Sequence, residues 1–232
     1  MQQRAEAWEI VSRRPDPVDP LLLAETLAVR LCHDLSGQVN ALTAAIEVLN
    51  DEAGADPEAL ALACDAGDLL ARRLRLARAA WGRTGGPLSV AEWRELAGAL
   101  VRRGITFDLD GVDGSGHFGP GAGRLAVNLL ILAAEALPAG GVIEVVGHPA
   151  HDIMLRIQGP RAAWPAGFAG MLADADAAWD SLRAADRALA AKALQAPLTV
   201  LIAQAEGLRI SLLMGPAAEA APPLLVTLAP RA

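Results

Sequence analysis

Basic residues and long apolar runs are both scarce in this sequence. Its 20 Lys and Arg residues stand against 27 Asp and Glu residues, which gives a formal net charge of −7. This balance argues against nucleic acid as a partner, because neutralising phosphates needs clustered positive charge. No uncharged apolar run approaches the roughly 18 residues that a membrane-spanning helix requires. We therefore predict no nucleic-acid partner and no membrane partner.

Secretory signals and cysteines are scarce as well. Residues 1–19 lack the basic-then-apolar pattern of a secretory leader. Cys32 and Cys64 are the only cysteines, and their spacing fits no metal site, so we interpret them as reduced thiols. Both features favour a cytoplasmic location. A hydrophobic content of 53% and a mean hydropathy of +0.31 exclude a disordered chain and suffice for a sizeable core.

Two long helices are predicted near the N-terminus. After a tail over residues 1–18, which we expect to be flexible, Asp19 provides an N-cap and Pro20 a favourable first helical residue. The second helix begins with the same type of signal at residues 56–57. Apolar residues recur at helical spacing in both segments, so residues 19–84 predict a helical hairpin.

Two helices of about 40 Å cannot cover both of their apolar stripes. A second copy of the chain could cover them, which predicts a homodimeric four-helix bundle.

The periodicity changes after residue 88. Strands are predicted at 105–109, 142–146, 153–158, 209–214 and 224–228, helices at 89–101, 124–137, 173–194 and 197–206, and a glycine-rich loop at 111–123. A layer of helices on a mainly antiparallel sheet fits this order. The predicted fold class is α+β, with residues 88–232 forming an α/β sandwich.

His33 is the most informative residue for function. At about 100° per residue, it points roughly 200° away from both Leu31 and Leu35, whose burial would turn the imidazole to solvent. Near neutral pH an ordinary imidazole is largely uncharged, so one ring nitrogen keeps a lone pair for attack on phosphorus. The position beside Asp34 favours a nucleophile, although an ordinary surface histidine would have the same exposure.

The sequence around His33 resembles a known family. The segment Leu31-Cys32-His33-Asp34-Leu35 resembles the phosphoacceptor box of histidine-kinase dimerisation helices, in which an acid follows the histidine. More narrowly, residues 30–34 resemble the ChpT-type histidine phosphotransferases. Hairpin, loop and sandwich follow in that family's order across roughly 21–228. One difference is Gln38, which replaces the proline that commonly lies five residues after the histidine.

The second half resembles a histidine-kinase ATP-binding domain, a Bergerat-type (GHKL) sandwich, with degenerate nucleotide motifs. Asn128-Leu129-Leu130-Ile131-Leu132-Ala133 parallels the kinase pattern N-L-L-x-N-A. Leu132 replaces the asparagine that helps to hold magnesium, and an aliphatic side chain cannot coordinate a hard cation. Residues 158–162 lack the acid and the signature glycines of D-x-G-x-G. The resemblance therefore implies no tightly bound cofactor and no use of ATP.

The same resemblance implies a histidine phosphotransferase of a multistep phosphorelay. His33 would accept a phosphoryl group from the receiver-domain aspartate of a hybrid histidine kinase and pass it to the aspartate of a response regulator. Mg²⁺ is expected from the partner receiver domain, because the transition state needs cationic charge that a receiver carries. Asp34 would fix the imidazole tautomer through a hydrogen bond, or would be only a solvated helix charge. Helical spacing from His33 gives the candidate receiver-docking residues Arg30, Ser36, Gly37, Asn40 and Thr43.

Two other functions stay open at this point. The first is an active ATP-dependent histidine kinase core, which ATP alone would label. The second is a non-enzymatic dimeric receiver-binding module, which would bind a receiver without taking its phosphate. Transfer from a phosphorylated receiver in the absence of ATP separates all three.

Overall fold

Two long helices form the N-terminal part of the structure. The computed structural model describes residues 18–51, 57–82, 86–101, 104–174, 176–213 and 221–228. Except for the backbone of Val18, the tail predicted over residues 1–18 lies outside these ranges. Helix α1 is Val18–Asp51 and helix α2 is Pro57–Trp81. Helix α2 begins at the predicted proline, whereas α1 includes Val18, so Asp19 lies in its first turn and not at the predicted N-cap position. None of the described helices is both long and apolar enough to cross a membrane.

The helical hairpin, α1 packed against α2, covers mainly small side chains along its length. Ala45, Ala59 and Ala66 are buried, whereas large apolar residues of both helices are exposed, among them Val39, Ile46, Leu60 and Leu74. The apolar stripes predicted from the sequence are therefore only partly covered within one chain.

The sandwich that follows contains both sheets and the remaining helices. Its elements in chain order are β1 (Leu88–Ser89), α3 (Val90–Gly98), β2 (Ile105–Asp108), β3 (His117–Phe118), α4 (Pro120–Glu135), β4 (Gly141–Gly147), β5 (Asp152–Gln158), α5 (Phe168–Ala173), α6 (Asp176–Ala184), α7 (Arg187–Ala193), α8 (Gln195–Ala205), β6 (Arg209–Leu212) and β7 (Leu224–Thr227). Five strands form one sheet in the order β2-β4-β5-β7-β6, while β1 pairs with β3 separately. Of the described pairs, β2 with β4 is parallel and the others are antiparallel.

One face of the five-stranded sheet is buried. Ile143 and Val145 of β4 alternate with exposed or half-exposed neighbours, the pattern of a strand with one covered face. On the opposite face Arg156 donates to Glu144 across the β4–β5 pair at 3.2 Å. Helix α4 is buried along most of its length and forms the centre of the core. The predicted α+β fold, a helical region followed by helices on a mainly antiparallel sheet, is confirmed.

Several local features differ from the prediction. The helix expected over 173–194 is divided into α6 and α7 around Asp186, whose carbonyl accepts hydrogen bonds from the backbone N–H groups of Leu189 and Ala190. Aspartate favours helix starts over helix interiors, which explains the break. The loop expected over 111–123 contains β3 and the first turn of α4. Two-residue strands are too short to produce a periodic signal.

Candidate functional site

His33 lies in the middle of α1 with its imidazole turned to solvent. Its side chain is 67% exposed, while the flanking Leu31 and Leu35 are half-buried. The exposure that helical spacing predicts for His33 agrees with the structure. Its ring Nδ1 lies 3.2 Å from Oδ1 of Asp34. A carboxylate can only accept a hydrogen bond, so this contact favours the tautomer with the proton on Nδ1.

The second oxygen of Asp34 binds Arg30, which lies one helical turn earlier. Nε of Arg30 donates to Oδ2 of Asp34 at 2.6 Å, and Nη2 donates to Oε1 of Glu135 at 2.5 Å. Nη1 donates to the carbonyl oxygen of Ala191 at 2.9 Å. Burial by itself would lower the pKa of Arg30, but attraction by Glu135 and hydrogen bonds to both carboxylates outweigh it and raise that pKa. Arg30 is therefore held as a cation between α1 and the sandwich.

This geometry corrects one prediction. Helical spacing predicts an exposed Arg30 on a docking surface, but its side chain is only 13% exposed, and its guanidinium group donates hydrogen bonds to α4 and α7. The same helical spacing that places Arg30 near His33 also places it beside Asp34, where the sandwich covers it. Arg30 therefore faces the interior of the molecule.

The other docking candidates lie on the open face of α1. Ser36, Gly37, Asn40 and Thr43 are all exposed. The hydroxyls of Ser36 and Thr43 donate to backbone carbonyl oxygens of the preceding turn, so they are satisfied within the helix. A Cβ at Gly37 would meet no heavy atom within 4 Å. These residues leave the surface next to His33 unobstructed.

Two further contacts fix the hairpin on the sandwich. Asp19, predicted as an N-cap, lies in the first turn of α1, and both its oxygens accept hydrogen bonds from Arg183 of α6, at 2.9 and 2.6 Å. The side-chain amide of Asn128 on α4 donates to the carbonyl oxygen of Ala80, near the end of α2, at 2.8 Å. Both helices of the hairpin are thus joined to the sandwich by polar groups as well as by apolar packing.

A groove of about 640 Å³ lies between hairpin and sandwich beside His33. Leu76 and Trp81 of α2 and Ile131 of α4 are among its apolar lining. Arg73 and Lys192 contribute cationic groups to the same groove. His33 therefore stands at the border of a concave surface that both parts of the molecule build.

Comparison with known proteins identifies the family. The family described as the histidine phosphotransferase C-terminal domain matches residues 90–218, more than half of the chain. The chain belongs to the histidine phosphotransferase family. The match covers the sandwich, while His33 lies outside it. The match to the sandwich thus confirms the family that the residues around His33 resemble.

A solved structure of a bacterial phosphotransferase has the same fold as this histidine phosphotransferase. The TM-score is 0.66 at 22% sequence identity, with 93% of this chain and 98% of the other covered. At this identity the similarity establishes the fold alone, and its coverage takes in most of the hairpin with the sandwich. No curated protein matches the chain.

Long-range contacts at the site of this phosphotransferase were not predicted from the sequence. Glu135 and Ala191 complete the surroundings of Arg30, although they lie more than 100 residues away along the chain. Glu135 ends a strongly apolar helix, and that isolated charge is the only signal that could have singled it out. Within the described residues, no group of three or more His, Cys, Asp or Glu side chains is placed to hold a metal ion.

Proposed function

We propose that this protein is a histidine phosphotransferase of a multistep phosphorelay. His33 carries a phosphoryl group from the receiver-domain aspartate of a hybrid histidine kinase to the aspartate of a response regulator. The observation that carries this proposal is the exposed His33 imidazole with Asp34 at its Nδ1, in a chain whose sandwich belongs to this family.

The chemistry follows from the tautomer. With its proton on Nδ1, the ring keeps the Nε2 lone pair, which attacks the phosphorus of the receiver's aspartyl phosphate. The N–P bond forms as the bond between phosphorus and the aspartyl oxygen breaks. The electron pair of the broken bond stays on that oxygen, which regenerates the receiver carboxylate. The phosphorylated ring, still protonated on Nδ1, carries a positive charge that faces Asp34. The receiver supplies Mg²⁺ for the charge on the transferring group, and the second transfer reverses these steps onto a different receiver.

Several contacts favour a protein donor over ATP. Asn128, the first asparagine of the kinase-like N-L-L-x-N-A motif, is fully buried, and its amide is engaged by Ala80 and Arg124. Leu132 is also fully buried. The helix that lines the nucleotide site in the kinases that this sandwich resembles is packed here as core, so we propose that the protein does not bind ATP.

The receiver docks over His33, on α1 and against the sandwich. Ser36, Gly37, Asn40 and Thr43 form the part of this surface on α1. The groove provides the other part, where Lys192 and Arg73 complement an acidic partner surface and favour its approach. The sandwich thus provides a second contact surface that orients the receiver.

We further propose that the protein is a homodimer through the hairpin. Val39 and Ile46 are seven residues apart on one face of α1, and Leu60 and Leu74 are fourteen apart on one face of α2. All four side chains are exposed in the single chain. A second hairpin would cover them in a four-helix bundle.

Substitution of Ile46 tests the dimer. We expect wild-type protein to show twice the 24.0 kDa mass of one chain in light scattering, and Ile46→Glu to shift to the single-chain mass, because a charge would have to be buried at the interface. Leu189→Glu, which changes an exposed leucine of α7, should remain dimeric. A wild-type protein with the mass of one chain at micromolar concentration would refute the dimer.

Phosphotransfer from a receiver tests the proposed function. Incubated with a phosphorylated receiver domain and Mg²⁺ but no ATP, the protein should acquire a phosphoryl group that is stable in base and labile in acid. Labelled ATP without a receiver should give no label. Labelling by ATP alone would indicate a kinase, and receiver binding without labelling would indicate a non-enzymatic module.

A further inference from the structure

Asp34 has to meet two requirements in the proposed transfer. It must keep one oxygen on Nδ1 of His33 and retain enough negative charge to meet the cationic phosphorylated ring. Its other oxygen, however, accepts a hydrogen bond from Arg30 at 2.6 Å. An arginine in so close a contact orients the carboxylate but also neutralises it.

Glu135 supplies the compensating charge. It lies on α4, in the sandwich, and accepts a hydrogen bond from Nη2 of Arg30. Arg30 is thereby placed between two carboxylates, and the three groups together carry a formal charge of −1. The Arg30 side chain is 13% exposed and the Glu135 side chain 24%, so water screens this pair less than an ion pair on the open surface.

The geometry also restricts the position of Arg30. Its three nitrogens are each engaged by a different acceptor, on Asp34, Glu135 and the backbone of Ala191. Because the guanidinium group is planar, fixing two of its nitrogens also fixes the position of Nε, which holds Oδ2 of Asp34. The carboxylate is itself planar, so the position of Oδ2 restricts that of Oδ1, the oxygen next to His33. A contiguous chain of polar contacts therefore runs from α4 of the sandwich to the imidazole.

We propose that Glu135 is a positioning residue for phosphoryl transfer, acting through Arg30 and Asp34 to hold the Nδ1-protonated tautomer of His33. The inference rests on the proposed function of His33. It assigns the sandwich a part in preparing the nucleophile, in addition to docking the receiver.

Glu135→Gln tests this inference, because glutamine keeps the length and an acceptor oxygen but removes the charge. We expect the rate constant for phosphoryl uptake at saturating receiver to fall about tenfold, a size typical of coupling between groups that do not touch. The ¹⁵N NMR spectrum of unphosphorylated His33 should show loss of the Nδ1-protonated tautomer. Glu144→Gln is the matched control, since it changes a part-exposed ion pair on the open sheet face, and both readouts should remain as in the wild type.

A double-mutant cycle with Asp34→Asn identifies the route. If Glu135 acts through Asp34, then Glu135→Gln should add no further loss in the Asp34→Asn background. Multiplicative losses in the double variant, or a Glu135→Gln variant with wild-type rate and spectrum, would overturn the inference while leaving the proposed function intact. Absence of uptake by the wild-type protein would instead refute the proposed function, and the tautomer spectrum alone would then decide the role of Glu135.

Discussion

His33→Ala should abolish phosphoryl uptake from a phosphorylated receiver. The substitution removes the only group that the proposed mechanism uses to form the N–P bond, so no residual transfer is expected. Because the His33 side chain is 67% exposed, its truncation should change the free energy of unfolding by no more than about 0.5 kcal/mol. The measurement is the fraction of protein carrying phosphate, by intact-mass spectrometry at neutral or basic pH.

Two comparisons make this result specific. His151→Ala removes another exposed histidine, in the sandwich, and should leave uptake unchanged. The dimer mass of His33→Ala should equal that of the wild type, because the outward-facing imidazole lies away from the apolar stripes. Uptake by His33→Ala at the wild-type level would place the phosphoryl group on another residue.

Asn128→Ala should lower the free energy of unfolding by a large amount. The Asn128 amide donates to the carbonyl oxygens of Ala80 and Arg124 at 2.8 Å each, and its Oδ1 accepts from Gln195 at 3.0 Å. Loss of these bonds in a fully buried setting, together with the cavity left behind, should cost about 3 kcal/mol. For a chain of this size that corresponds to a fall in Tm of roughly 6–12 °C.

Asn40→Ala is the matched control for this prediction. It makes the same chemical change on the exposed face of α1 and should alter Tm by no more than about 2 °C. Differential scanning calorimetry of both variants gives the comparison. Equal melting temperatures for the Asn128→Ala variant and the wild type would show that this asparagine does not join the hairpin to the sandwich.

Local sequence signals predict the local features of this molecule well. The prolines of the two Asp-Pro pairs, Pro20 and Pro57, lie in the first turns of the hairpin helices, because the fixed φ of proline suits a helix start. Helical spacing alone predicts that His33 points outward. The two short apolar segments at 142–146 and 153–158, separated by a turn, predict the paired strands β4 and β5. Each of these inferences depends on residues only a few positions apart.

Contacts between distant segments could not be obtained in the same way. Helical spacing predicted an exposed Arg30, but the sandwich covers it, because α4 and α7 lie against that side of α1. The partnership of Asn128 with Ala80 joins residues 48 positions apart. Such contacts depend on how whole elements pack, and a pattern within one element carries no information about the face of another.

Mapping the phosphorylated atom after receiver-driven transfer tests the central claim most directly. Wild-type protein is incubated with a phosphorylated receiver in one sample and with ATP alone in another, and the phosphoryl group is located by peptide mass spectrometry and ³¹P NMR. The account predicts phosphate on Nε2 of His33 in the first sample and none in the second. Phosphate on a different residue, or label that appears only with ATP, would contradict it.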